Sequence, residues 1–150
     1  MDQYAKTFIV RWADCDANGH LRSTGYSDYA IEVRMAFLAE HGYGIAELKQ
    51  AAVGPVILRE EIDYQRECHM GEELTVTFTI LGLSPDGARF KMVQDIWKQN
   101  GKQAAHLVVQ GGWLDTRARR LAPPPDALRE AFEKAPRGGP FETLPAAGQR

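Results

Sequence analysis

Two aspartates separated by one residue stand in the stretch RWADCDANGH, which covers residues 11–20. Asp14 and Asp16 are followed by an Asn-Gly turn pair and then, from about Ser23, by a segment with helical periodicity. The start of a helix offers unpaired N–H groups and a partial positive charge. A loop carboxylate placed just before it can act as a base or a nucleophile on a group whose developing negative charge the helix stabilises.

Composition limits the class of protein that could carry such chemistry. The chain has 150 residues, 44% of them hydrophobic, which predicts one domain with a real core. A net charge of −2 gives no reason to expect a nucleic acid or a membrane as partner. No apolar run approaches the ~20 residues of a membrane span, and residues 1–6 are polar, so we expect a cytoplasmic protein. Two cysteines, Cys15 and Cys68, are too few for a disulfide framework.

The elements that must position the two acids begin with a strand in QYAKTFIVRW and a polar loop in DCDANGHLRS. The next segment, 23–41, has the apolar spacing of a helix and carries two apolar stripes rather than one. The first stripe consists of Tyr26, Ala30, Val33 and Phe37, and the second of Ile31, Met35 and Leu38. A short second helix is expected in GIAELKQA.

The remainder predicts four strands joined mostly as a meander, with hairpin turns at SPDG and NGK. The pair Gly111-Gly112 indicates a bulge or a close backbone approach in the last of them. A C-terminal helix is expected after three prolines in PPPDALREAFEK. We therefore expect a single domain over residues 1–135 and a flexible tail over 136–150, which is rich in Gly, Pro and Ala.

This order of elements predicts an α+β fold in which an antiparallel sheet packs on a long helix. One sheet covers only one side of that helix, so the second apolar stripe needs another cover. A second copy of the chain could cover this stripe, so we expect at least a dimer.

The segments RWADCDANGHL, TGYSDYAIEVR, PVILREEIDYQRECHMGEELTV and GGWLDTRARRLAPPP together resemble the hotdog-fold acyl-CoA thioesterases. The resemblance runs from about residue 4 to residue 132 and is closest to the branch of 4-hydroxybenzoyl-CoA thioesterase. It implies a five-stranded antiparallel sheet wrapped around a long central helix. It also implies a homodimer or homotetramer with sites between subunits.

The resemblance further implies hydrolysis of an acyl-CoA thioester to a free carboxylic acid and CoA, without a cofactor. The second aspartate of the D-x-D-x-x-G-H block, here Asp16, matches the family's catalytic carboxylate, and Asp14 matches a supporting acid. By position, the amide of Ser23 matches the N–H that binds the thioester carbonyl. Whether Asp16 attacks the carbonyl or activates water stays open.

Six further residues are expected to contact the substrate, in addition to Asp14: His20, Arg22, Tyr26, Arg59, Arg89 and Lys91. The last three are basic residues on strands that flank the expected cleft, where the phosphates of CoA need cations. The chain departs from the family in HLRSTGY, where many relatives carry HVNNxxY, which leaves the acyl group open.

Alternatives remain at the level of both residues and reaction. Asp16 could cap its turn and nothing more, and Asp28 or Glu32 could carry the chemistry from the helix, as in some hotdog thioesterases. A metal site from Asp14, Asp16 and His20 lacks further ligands at recognisable spacing, so no metal is expected. A hydroxyacyl-thioester dehydratase and a non-catalytic acyl-CoA-binding module are the competing functions.

Overall fold

The computed structural model describes residues 3–146. Its helices and strands follow in chain order: β1 Ala5–Ile9, α1 Ser23–Glu40, α2 Ile45–Ala51, β2 Val53–Tyr64, β3 Glu73–Thr77, β4 Thr79–Leu83, β5 Arg89–Lys98, β6 Gln103–Asp115, β7 Arg120–Leu121, α3 Asp126–Lys134 and β8 Arg137–Thr143. A single 3-10 turn, Trp12–Asp14, lies between β1 and α1.

The sheet is antiparallel through the order β1, β3, β5, β6, β2. Strands β3 and β4 are consecutive pieces of one extended segment, and both pair with β5. The segment is interrupted at Phe78, whose N–H donates to the carbonyl of Tyr4. Five strand positions around one long helix confirm the expected α+β hotdog fold.

Helix α1 packs its first apolar stripe against the concave side of this sheet. All four residues of the stripe, from Tyr26 to Phe37, are buried. The ring of Phe37 stacks on that of Phe78 at 4.4 Å between centroids. Polar contacts cross the same interface at the fully buried Gln94, whose Oε1 accepts a 2.6 Å bond from Arg34 Nε and whose Nε2 donates to the Ala30 carbonyl at 3.0 Å. Aromatic packing of this kind supplies most of the stabilisation of a core.

The residues of the second apolar stripe are buried to different extents within the single chain. Leu38 is buried within the single chain, and Met35 is half-buried against the core. Ile31, closest to the start of the helix, keeps 45% of its surface exposed. The expectation that the whole stripe needs a cover from outside one chain is therefore wrong for Leu38. It stands as a prediction for Ile31.

The C-terminal segment is more ordered than its composition predicts. Residues 137–143, expected to be loose, form β8 and pair in parallel with β4. The Ile80 N–H donates to the carbonyl of Pro136, and Lys91 forms a 3.0 Å ion pair with Glu142. The free edge of β4 supplies backbone partners that composition cannot reveal. The last part of the predicted tail, 147–150, lies outside the described residues.

Within residues 3–146, no helix is both long enough and apolar enough to cross a membrane.

Candidate active site

The loop that carries the two aspartates is a tight hairpin over residues 15–21. The Asp16 N–H donates to the carbonyl of His20 at 2.8 Å, and Cys15 bridges to Leu21 in antiparallel fashion. Gly19 closes the turn with φ of +78°, and its N–H donates to the Asp16 carbonyl at 3.0 Å. Glycine takes this left-handed conformation without steric cost, so the Asn-Gly pair fixes the loop.

The carboxylate of Asp16 has one occupied and one open oxygen. Its Oδ1 accepts a 2.9 Å bond from the Asn18 N–H and a longer one, 3.4 Å, from the His20 N–H. Among residues 3–146, no protein group donates to Oδ2, and the side chain is exposed. Turn capping therefore orients the carboxylate and still leaves an oxygen for chemistry.

Ser23 is the first residue of α1, directly after the extended Arg22, whose φ and ψ are −62° and 153°. Within the described chain, its N–H has no backbone acceptor, as is usual for the first residues of a helix. The hydroxyl of Tyr64 donates to the Ser23 carbonyl at 3.2 Å and fixes the helix start against the end of β2. The Ser23 amide is an available hydrogen-bond donor.

These groups open onto one cleft of about 330 Å³, which we call the loop–helix cleft. Its lining residues are Asp16, His20, Leu21, Ser23, Tyr26, Tyr64, Gln65, Arg66 and Glu67. Four residues that the sequence predicted for the site therefore share a single depression. Asp16, which keeps one carboxylate oxygen without a donor among the described residues, and Ser23, the first residue of α1, line this same depression. Asp16 also borders an adjacent pocket of about 370 Å³ beside Trp12. A carboxylate close to a helix N-terminus is suited to acyl transfer.

Asp14 has a different environment, since its side chain is buried and fully engaged. Arg11 donates to both of its oxygens at 2.9 Å, and the Tyr29 hydroxyl donates to Oδ2 at 2.8 Å. These hydrogen bonds, from Arg11 first and then Tyr29, lower the pKa of Asp14 to about 2 in spite of its burial, and the charges of Arg11 and Arg22 act in the same direction. Asp14 holds the loop against α1.

Arg22 and Tyr26 are both committed to contacts within the chain. The guanidinium of Arg22 donates to the Ala13 carbonyl at 3.0 Å and to Oδ2 of Asp28 at 3.1 Å. The Tyr26 hydroxyl donates to the Arg66 carbonyl at 3.0 Å, and burial, first among several causes, raises the pKa of Tyr26. Arg22 borders no part of the loop–helix cleft.

The three basic residues expected beside the site do not line this cleft. Arg59 and Arg89 border a separate pocket of about 130 Å³ against Leu144, and Lys91 pairs with Glu142. Arg59 itself pairs with Glu61 on the same strand at 2.7 Å. Strand position alone could not place them, because it does not tell which end of the sheet meets the loop.

One wall of the loop–helix cleft is formed by residues at and just after the end of β2, which were not predicted from the sequence as site residues. Tyr64, Arg66 and Glu67 all line the cleft. Arg66 is the basic side chain there, and it donates to the Gln103 carbonyl at 2.6 Å. The segment PVILREEIDYQRECHMGEELTV, which contains these residues and carries part of the family resemblance, was a signal for this wall.

The helix acids lie elsewhere. Asp28 and Glu32 border a larger groove of about 540 Å³ beside β1, together with Asp14. Asp28 is paired with Arg22. Neither acid borders the cleft that contains the Ser23 amide.

A sequence model of the thioesterase-like superfamily matches residues 10–132. The chain belongs to this family. The match confirms the resemblance to the hotdog-fold thioesterases and identifies the protein as a thioester hydrolase. A search of the curated proteins found no match.

Solved structures confirm the fold at low sequence identity. One is the hypothetical protein SAV2348 of Staphylococcus aureus, solved in complex with CoA. Its sequence is 23% identical and its TM-score is 0.83, and the match covers 99% of this chain and 94% of that chain. The 1,4-dihydroxy-2-naphthoyl-CoA thioesterase Slr0204 of Synechocystis is 18% identical with a TM-score of 0.79, over 88% and 96%. A DHNA-CoA thioesterase of S. aureus is 14% identical with a TM-score of 0.79, over 89% and 91%.

Proposed function

We propose that the protein hydrolyses acyl-CoA thioesters to a free carboxylic acid and CoA, with Asp16 as the catalytic carboxylate. One observation carries this proposal: Asp16, whose Oδ2 has no donor among the described residues, and Ser23, whose N–H has no acceptor among them, line the same cleft. Two of the similar structures are described as CoA thioesterases and a third was solved with CoA, which supports a CoA thioester as the substrate class.

In the proposed reaction, the thioester carbonyl oxygen accepts a hydrogen bond from the Ser23 N–H. Asp16 either attacks the carbonyl carbon directly, so that the acyl group passes to its carboxylate as a mixed anhydride that water then hydrolyses, or removes a proton from the attacking water. Negative charge then develops on the oxygen beside the positive end of α1, where it is stabilised. The carbon–sulfur bond breaks, and the overall change consumes one water to give a carboxylic acid and the CoA thiol.

The remaining site residues have supporting roles in this proposal. Asp14 holds the loop, His20 and Tyr26 form the cleft wall, and Arg22 fastens the loop to α1. Arg66 is the arginine that lines the cleft and is our candidate for contact with a CoA phosphate. Three basic residues outside the cleft remain candidates for phosphate contacts if they reach a cleft on a second subunit: Arg59, Arg89 and Lys91.

We also propose a homodimer formed through the free edge of β2, which pairs with β6 on its other side. Exposed apolar residues follow this strand, with 44% of Ile57 and 58% of Leu58 accessible. A long edge strand with apolar side chains is a natural pairing surface. A tetramer, as a dimer of dimers, is compatible with the same contact.

The reaction is tested by incubating the protein with a panel of short, long, branched and aromatic acyl-CoAs and measuring free thiol with a thiol reagent. Release of CoA thiol from at least one class supports the proposal. Formation of a double bond in hydroxyacyl-CoAs without thiol release would identify a dehydratase instead. Saturable CoA binding without turnover of any substrate would identify a binding module.

A further inference from the structure

Two histidines and a glutamate meet where the Asp16 loop contacts the segment after β2. Nε2 of His20 lies 3.1 Å from Oε2 of Glu67, and Nε2 of His69 lies 3.8 Å from Oε1 of the same carboxylate. One ligand atom from each of the three residues falls within 4.8 Å of the other two. This group was not predicted from the sequence, where His20 was considered as a metal ligand only together with Asp14 and Asp16.

These separations fit a shared metal ion. A tetrahedral ion with bonds of about 2.0–2.2 Å places neighbouring ligand atoms roughly 3.4 Å apart. The two nitrogen–oxygen distances, each to a different oxygen of the Glu67 carboxylate, lie on either side of that value, and a set of one ligand atom per residue lies within 4.8 Å. Two imidazoles and one carboxylate form a known three-ligand set for Zn²⁺, with the fourth position left to water.

The backbone holds the two histidines in register before any ion binds. His20 and His69 form an antiparallel bridge, and the Leu21 N–H donates to the Cys68 carbonyl at 2.7 Å. Their rings meet edge to face, with centroids 4.9 Å apart. Small side-chain rotations are enough to converge the three ligand atoms, because the two chain segments are already fixed side by side.

A second carboxylate supports one of the ligands. Nδ1 of His69 lies 3.4 Å from Oε2 of Glu72, which also accepts a 2.6 Å bond from the His69 N–H. Metal-binding histidines usually donate their second ring N–H to a carboxylate, which fixes the tautomer and leaves the other nitrogen for the ion. Glu72 is placed for this role, and it directs Nε2 of His69 toward Glu67.

We propose that His20, Glu67 and His69 bind one divalent first-row transition-metal ion, with Zn²⁺ as the best match. The ion links the hairpin 15–21 to the segment after β2 at the rim of the loop–helix cleft, since His20 and Glu67 also line that cleft. Its effect is to fasten the loop that carries Asp16. The proposal does not depend on the thioesterase activity, because binding can be measured without any substrate.

The test uses untagged full-length protein freed of metal with a chelator, titrated with Zn²⁺ by calorimetry and with Co²⁺ by visible absorption. We expect one ion per chain, a tetrahedral Co²⁺ spectrum without a thiolate charge-transfer band, and a higher melting temperature with Zn²⁺. His69→Gln should weaken binding by at least about 10-fold, since even the loss of a supporting partner typically costs 10–100-fold.

His106→Gln is the matched control, because His106 also contacts a carboxylate, Asp95 at 2.6 Å, but belongs to no group of three ligands among the described residues. It should bind Zn²⁺ as tightly as the wild type. The proposal is overturned if the wild type takes up less than one ion per chain, if His69→Gln binds with wild-type affinity, or if a thiolate band shows that a cysteine is the ligand. Melting temperature without metal verifies that His69→Gln is folded.

Discussion

The phenol of Tyr29 donates a 2.8 Å hydrogen bond to Oδ2 of Asp14 and so joins the second turn of α1 to the loop that carries Asp16. Both partners are buried, and Arg11 binds the same carboxylate from the solvent side. The two aspartates of the D-x-D block therefore differ in environment: Asp14 is buried and paired inside the chain, whereas Asp16 is exposed and lines the cleft.

Removing the Tyr29 hydroxyl should loosen the loop. Tyr29→Phe leaves part of a buried carboxylate without its donor, so we expect the free energy of unfolding to fall by about 1.5–3 kcal/mol, the range for hydrogen bonds to charged groups. Urea denaturation measures it. Tyr43→Phe is the control, because the Tyr43 hydroxyl has no partner among residues 3–146. Equal losses in the two variants would argue that the bond to Asp14 contributes nothing.

The lowered pKa of Asp14 predicts a specific loss of stability in acid. The folded state favours the charged carboxylate, so its contribution is complete above the ordinary pKa of 3.8 and disappears as the pH falls toward about 2. In urea denaturation, the stability gap between wild type and Asp14→Asn should be largest above about pH 4 and should shrink below it. A gap that stays constant from pH 6 to pH 2.5 would contradict the assignment.

Two substitutions at Ser23 distinguish a catalytic role of its backbone N–H from a role of its hydroxyl. Ser23→Ala should keep much of the activity, whereas Ser23→Pro deletes the donor and should lower kcat by about 10²–10³-fold. Proline is well tolerated at the first position of a helix, and the extended Arg22 suits a following proline, so the variant should fold. Circular dichroism checks folding. Equal activity losses would identify the hydroxyl as the working group.

The β2 edge predicts how the protein assembles. Leu58→Glu places a charge on the exposed edge and should shift a dimer toward monomer in light scattering. Ile45→Glu is the matched control, because Ile45 is 66% exposed and lies at the start of α2 rather than on β2. A wild-type protein that is monomeric at micromolar concentration, or a Leu58→Glu variant with unchanged mass, would reject the β2 interface.

Much of the fold follows from local sequence signals. The apolar spacing of residues 23–41 predicts α1, observed as Ser23–Glu40, and its first stripe is buried as expected. Gly111 illustrates a correct long-range inference, since a Cβ there would lie 2.3 Å from the carbonyl oxygen of Val56. β8 was missed because its residues are polar, exposed and rich in Gly, and only the free edge of β4 orders them.

The candidate site was predictable only in part, because some of its residues are distant in sequence from the Asp16 loop. Asp16, His20 and Ser23 are close in sequence, so one motif brings them together. Arg66 and Glu67 lie in the segment after β2, and their position depends on how that segment pairs with the loop, which no local pattern encodes. Strand position likewise does not show which cleft Arg59 and Arg89 serve; within one chain both border a separate pocket, and their contact with the substrate stays a prediction.

The steady-state rate of CoA thiol release by Asp16→Asn tests the central claim most directly. Asparagine keeps the size of the side chain and an oxygen for the Asn18 N–H, so the variant should fold and still bind acyl-CoA. We predict that its kcat falls by on the order of 10²-fold or more, whereas Asp28→Asn and Glu32→Gln stay near the wild-type rate. An Asp16→Asn enzyme that hydrolyses acyl-CoA at close to the wild-type rate would contradict the account, and a dead Glu32→Gln would then move the chemistry to the helix.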